Sequence, residues 1–229
     1  MPPKTIGVLG GMGPDATALF FQRVIALTPA QSDQEHIPVI IYNNPQIPDR
    51  TQAILEGGES PIPALKDSIA LLRRASVDFI CIPCNTVHVY YDEMQKGSNV
   101  PIVNLIEVVV DRILNELPDL RQVGLLSTVG TIKSCLYHNA LLKNSIELIT
   151  PDEGQQGNLQ NAIHELKNHS NDTAIVQSLA NDLIDTGVQG LILGCTELSL
   201  IAKDLLLSVP VFDSIEILAE KAVQLALGK

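Results

Sequence analysis

Apolar residues fall along the chain in short, nearly continuous runs separated by stretches of helical period. TIGVLG (5–10), IPVIIY (37–42), VDFICI (77–82), VPIV (100–103), QVGLLS (122–127), IELI (146–149), VQGLILG (188–194) and VPVF (209–212) read as strands rich in Val and Ile. Between the first two, Ala16, Leu19, Phe20, Arg23, Val24 and Leu27 recur at helical spacing, and Pro14 after Gly13 suits a first helical position. Strands without polar alternation, joined through helices, predict α/β architecture: mainly parallel sheets covered by helices on both faces.

The pattern occurs twice. IGVLGGMGP (6–14) matches VGLLSTVGT (123–131), ICIPCNT (80–86) matches LILGCTE (191–197), and VPIVNLIE (100–107) matches VPVFDSIE (209–216). The offsets are 117, 111 and 109 residues, in the same order. Such a repeat predicts two pseudo-symmetric α/β halves with a cleft between them. We place the N-terminal domain at 1–99 plus 208–229 and the C-terminal domain at 100–207. Cys84 and Cys195 then occupy the same place in each half, at the carboxyl end of its third strand. Ligands of open parallel sheets bind beyond the carboxyl ends of the strands, so both thiols are expected to face one cleft.

Composition narrows the function. A net charge of −11, with 15 scattered Lys and Arg, argues against nucleic acid or an anionic membrane as partner. Trp is absent and aromatics make up 3%, which disfavours a stacking platform for bases or sugars. No apolar run reaches membrane-spanning length and no secretory leader is visible, so a cytoplasmic location is expected. Four cysteines are too few for a disulfide scaffold.

A thiolate is both nucleophile and base, and a helix N-terminus or a cation lowers its pKa. The five histidines show no zinc-type spacing relative to the cysteines, so no metal is expected. Cys81-x-x-Cys84 looks like a redox pair, yet Cys81 lies inside an apolar strand. Cys135, in IKSCLYHNALL, is expected on an amphipathic helix as core packing, and His88 is also expected to pack. GGMGP lacks the full dinucleotide spacing and reads better as a backbone cradle for a small ligand. Two equivalent bases on opposite sides of a bound carbon can remove a proton from one face and deliver one to the other. That inverts a stereocentre.

GVLGGMGP, NNPQIPDRT (43–51), PCNT and GCTEL together resemble the aspartate/glutamate racemase superfamily, and NNPQIPDRT is similar to its aspartate racemase branch. The resemblance runs from about residue 5 to 216. It implies racemisation of a small acidic amino acid by two cysteines, without pyridoxal phosphate or other cofactor, in a protein that forms homodimers. It places the catalytic thiols at Cys84 and Cys195, with Cys195 acting on the L enantiomer and Cys84 on the D enantiomer. Asn85, Thr86 and Thr196 match positions that bind the α-carboxylate or α-amino group. Arg50, beside Asp49 in the PDR triplet, matches an arginine that holds a substrate carboxylate, and Lys167 matches a lysine with the same task. Gly11, Met12, Asp49, Thr128 and Glu197 should line the cleft as further substrate-binding positions. Glu197 stands where glutamate racemases carry a histidine, which favours the aspartate branch and leaves the role of this side chain open. A glutamate or broad-specificity amino-acid racemase, a maleate isomerase and a non-catalytic amino-acid sensor are the competing readings; binding alone would need neither thiol.

Overall fold

The apolar runs fold as two separate parallel sheets in the computed structural model, which describes residues 2–169 and 172–228. The first half contains β1 (Ile6–Gly10), α1 (Pro14–Leu27), β2 (Val39–Asn43), α2 (Arg50–Leu55), α3 (Ile62–Arg74), β3 (Phe79–Cys81), α4 (Tyr91–Lys96) and α5 (Leu105–Glu116). The second contains β4 (Gln122–Leu126), α6 (Val129–Lys133), α7 (Leu136–Leu142), β5 (Glu147–Ile149), α8 (Glu153–Lys167), α9 (Ala174–Asp185), β6 (Leu191–Leu193), α10 (Leu198–Ile201), β7 (Val211–Asp213) and α11 (Ser214–Leu227). The strand orders, β2-β1-β3 and β5-β4-β6-β7, place equivalent strands in equivalent positions. Pro14 begins α1, where its missing N–H is no loss.

The repeat extends to helix caps. Asn104 accepts hydrogen bonds from the amides of Ile106 and Glu107 at the start of α5, and Asp213 does the same for Ile215 and Glu216 at the start of α11. One expected strand is cut short. In VPIV only Ile102 pairs, as an isolated parallel bridge to Ile80. The Ile102 amide is taken by Oε1 of Gln95 at 2.8 Å, and the Gln95 amide reaches the Val100 carbonyl, so a side chain substitutes for further ladder bonds.

Residues 208–229, expected with the N-terminal half, divide between the two. β7 pairs with β6 in the second sheet, whereas α11 packs on α1 and α5. Residues 100–103, expected to open the C-terminal half, bridge the first sheet. A single core runs through the centre, joining Ile6, Phe20 and Val24 to Val109, Ile113, Val123, Ile192, Phe212 and Leu218. Two smaller clusters cover the outer faces, one under α3 and α4, the other under α8 and α9.

The helix expected around Cys135 is broken. Cys135 adopts a left-handed conformation (φ 55°) between α6 and α7, and its side chain is exposed rather than packed. The break lets α7 restart with Tyr137 and Leu141 facing the core. Cys81 is fully buried in β3 and unpaired, and burial pushes its thiol far above the ordinary range, which suits a core residue and not a redox partner.

Candidate active site

Each thiol follows the carboxyl end of the strand beside its sheet's first strand, β3 next to β1 and β6 next to β4. After β3 a tight turn at Pro83, closed by the Cys84 amide on the Ile82 carbonyl at 2.8 Å, delivers Cys84 to the cleft. His88 braces that turn from below: its Nδ1–H donates to the Cys84 carbonyl at 2.8 Å. Burial lowers the pKa of His88, which favours the neutral ring; Nε2 lies 3.4 Å from the Val103 carbonyl, so the shorter contact, at Nδ1, takes the proton. The expected packing role is thus combined with a specific hydrogen bond. After β6 only Gly194 precedes Cys195, and Ser127 ties this strand end to β4 by donating to the Gly194 carbonyl at 2.5 Å.

Cys84 and Cys195 line one narrow inner cavity, unbridged by a disulfide. Met12, Asp49, Arg50, Asn85, Thr86, Thr128, Lys167, Thr196 and Glu197, all expected from the sequence, line it with them. Beside it lies an outer vestibule of about 360 Å³, also walled by Gly11, Pro45, Ile47 and Leu200, and the two share Met12, Asp49, Arg50, Lys167 and Glu197. Gly11 lies at φ 99°, and a Cβ there would fall 2.3 Å from the Asn44 backbone, so this wall of the vestibule requires glycine.

The two halves meet at hydroxyls. Thr86 Oγ1, from the first, lies 3.0 Å from Thr128 Oγ1 and 2.8 Å from Thr131 Oγ1 of the second, and Thr128 and Thr131 are 3.1 Å apart. Gly130 permits the approach, since a Cβ there would press within 2.6 Å of Thr51 Oγ1. Asn85 is buried and held from two sides: Tyr137 donates to its Oδ1 at 2.6 Å and its Nδ2 donates to Ser214 Oγ at 3.0 Å. One N–H of the Asn85 amide remains for the cavity.

Cations are few and distinct. Arg50 opens α2, which Asp49 caps by accepting from the Gln52 amide at 2.9 Å. Asp49 therefore serves the helix as well as lining the cleft. Nη1 of Arg50 donates to the carbonyls of Ile47 and Pro48, whereas its Nε is buried without a partner. A guanidinium anchored at one end presents its Nε edge to a carboxylate as a preset fork. Lys167, at the end of α8, is exposed and reaches the same cavity.

Glu197 is buried, with Oε2 3.1 Å from Cys195 Sγ and 3.4 Å from Thr196 Oγ1. Burial first, then the Glu197 carboxylate, push the Cys195 thiol well above its ordinary range, against opposing pulls from the Glu197 backbone amide and, after it, Lys167. Among the described residues no group of three or more His, Cys, Asp or Glu could hold a metal ion, and no helix is long and apolar enough to cross a membrane.

Thr131, Tyr137 and Ser214 were not singled out from the sequence. Ser214 carried a signal: its repeat partner is Leu105, so a serine replaces a leucine at an equally buried position.

The family described as Asp/Glu/hydantoin racemase matches residues 9–222. The chain belongs to this family. This racemase is 31% identical over 228 residues to the broad-specificity amino-acid racemase RacX of Bacillus subtilis, an alignment covering 97% of this chain and 98% of that one. Its fold superposes on an aspartate racemase from Picrophilus torridus with a TM-score of 0.83 at 32% identity, over 97% of this chain and 94% of that one. Glutamate racemase from Francisella tularensis, solved with D-glutamate, shares the fold at a TM-score of 0.69 and 22% identity, covering 100% of this racemase and 82% of that chain.

Proposed function

We propose that this racemase interconverts L- and D-aspartate by proton transfer between Cys84 and Cys195, without pyridoxal phosphate. The observation that carries the reading is the convergence of both thiols on one cavity that also receives Arg50, whose buried Nε lacks a partner. In this reading the substrate's side-chain carboxylate docks on Arg50 and Lys167. Its α-carboxylate meets Asn85, Thr86, Thr128 and Thr196, and the α-carbon lies between the sulfurs. One thiolate takes the α-proton while the other thiol protonates the opposite face, each sulfur about 3 to 3.5 Å from the carbon. The planar intermediate spreads charge into the α-carboxylate, where hydroxyl and amide donors stabilise it more than the ground state.

A broad-specificity amino-acid racemase is the second reading, favoured by the likeness to RacX over nearly the whole chain. Chiral chromatography after incubation with aspartate, glutamate, alanine, lysine and arginine, in protein free of pyridoxal phosphate, separates the two. Racemisation confined to aspartate supports the first, and comparable rates on basic and neutral amino acids replace it by the second. Homodimer formation, implied by the resemblance, is checked by light scattering on the eluting protein.

A further inference from the structure

We infer that the two thiols are unequal in the resting enzyme: Glu197 is a positioning residue that holds Cys195 as the protonated partner and leaves Cys84 to act as the base. The inference rests on the two-thiol reading and adds an order to it.

Glu197 Oε2 accepts from Cys195 Sγ at 3.1 Å, and Thr196 Oγ1 lies 3.4 Å from the same oxygen. The other oxygen is lodged against the first half, for a Cβ on Gly13 would lie 3.0 Å from Oε1. Thiol and carboxylate are equally buried, each 5% exposed. A thiolate at this spot would face a carboxylate at hydrogen-bond distance in a poorly solvated cavity, whereas the thiol finds an acceptor there. Asp49, Arg50 and Lys167 line the same cavity, and Lys167 opposes this bias together with the Glu197 backbone amide. Burial and the Glu197 side chain nonetheless outweigh both at Cys195.

The repeat isolates the cause. Thr86 stands at the position equivalent to Glu197, and its hydroxyl is engaged with Thr128 and Thr131. No carboxylate hydrogen-bonds Cys84 among the described residues. In turnover from the resting form, the α-carbon's C–H bond breaks and its proton forms S–H on Cys84, while the electron pair moves into the α-carboxylate. The S–H bond of Cys195 then breaks as its proton forms C–H on the opposite face. Cys195 is left as a thiolate beside the Glu197 carboxylate. This less stable form resets by taking a proton from water at the mouth, which Glu197 also lines, as Cys84 releases one.

The test is alkylation by iodoacetamide of the unliganded full-length protein across a pH series, with each cysteine quantified by peptide mass spectrometry. Exposed Cys135 serves as internal reference. In the wild type Cys84 should be modified at lower pH than Cys195. Glu197→Gln should raise the rate at Cys195 about tenfold near neutral pH, equivalent to moving its midpoint down one unit, with Cys84 and Cys135 unchanged. Glu197→Asp, which keeps the charge, should restore much of the wild-type order and stands in if the glutamine variant does not fold. Modification of Cys195 before Cys84 in the wild type, or an unchanged Cys195 profile in Glu197→Gln, overturns the inference. Racemisation measured on the same samples keeps the two claims apart. A protein with the expected alkylation order and no turnover of any amino acid loses the proposed function and keeps the unequal thiols.

Discussion

After β3 the chain reads Cys84-Asn85-Thr86, and after β6 it reads Cys195-Thr196-Glu197. The first turn is braced by neutral His88 on the Cys84 carbonyl. The residue equivalent to His88 in the second is Ser199, which donates to Asp213 at 2.5 Å. The first carries a buried amide gripped by Tyr137 and Ser214, both from the other half of the chain; the second carries a buried carboxylate directly on its thiol. Duplication therefore accounts for where the thiols stand, and the residues beside them set what each does. Two equivalent thiols suffice to exchange a proton across one carbon; different surroundings bias which of them holds it at rest.

Removing either thiol breaks the comparison most severely. Cys84→Ser and Cys195→Ser should each lower kcat for aspartate racemisation by at least about a thousandfold, because a serine hydroxyl is a far weaker base at neutral pH. A Cys84→Ser enzyme with near-normal turnover would end the two-base reading. Arg50→Lys comes next. Losing the fork on a buried carboxylate removes a charge-assisted hydrogen bond of about 1.5–3 kcal/mol, so kcat/KM should fall about 10- to 150-fold, with aspartate and glutamate affected more than alanine. Equal losses on all three would detach Arg50 from the side-chain carboxylate.

Tyr137→Phe sharpens the contrast at the amide. It deletes the donor to Asn85 Oδ1 inside the core, which should reduce stability by about 1–3 kcal/mol in urea melts and lower kcat more than it raises KM. The smallest effect concerns His88. Its folded pKa lies below its unfolded value of about 6.5, so the unfolded chain binds the proton more readily. The stability it supports is complete above that pH and is lost as pH falls through it toward the lowered folded value. The difference in melting temperature between wild type and His88→Asn should thus shrink from pH 7.5 to pH 5. A gap independent of pH would show that burial does not keep this ring neutral.

The strands, the repeat and the expected cleft lining were legible because they depend on local apolar runs, glycines and thiols with fixed spacing. Seven of the eight expected strands overlap observed ones. The eighth shrank to a single bridge because Gln95, five residues upstream of Val100, took its backbone groups. The Cys135 break escaped a periodicity argument because residues 129–142 carry apolar side chains on both sides of it. Tyr137 was invisible for a different reason. Its partner Asn85 is 52 positions away, and nothing in a helical stripe distinguishes an aromatic that fills space from one whose hydroxyl is needed.

The placement of α11 also bears on how the chain is made. This helix, Ser214–Leu227, covers α1, which begins at Pro14, and the core beneath contains residues from both sheets. During synthesis the face of α1 that packs on α11 stays uncovered until residues 214–227 have emerged, so the first half cannot be completed and set aside while the second is translated. Contacts between α1 and α11, which begin at Pro14 and Ser214, also carry a large loop-closure entropy, which places them late and makes folding slow relative to a protein built from sequential modules. A chain cut off before Ser214 would display that uncovered face of α1, the kind of surface that chaperones and proteases bind.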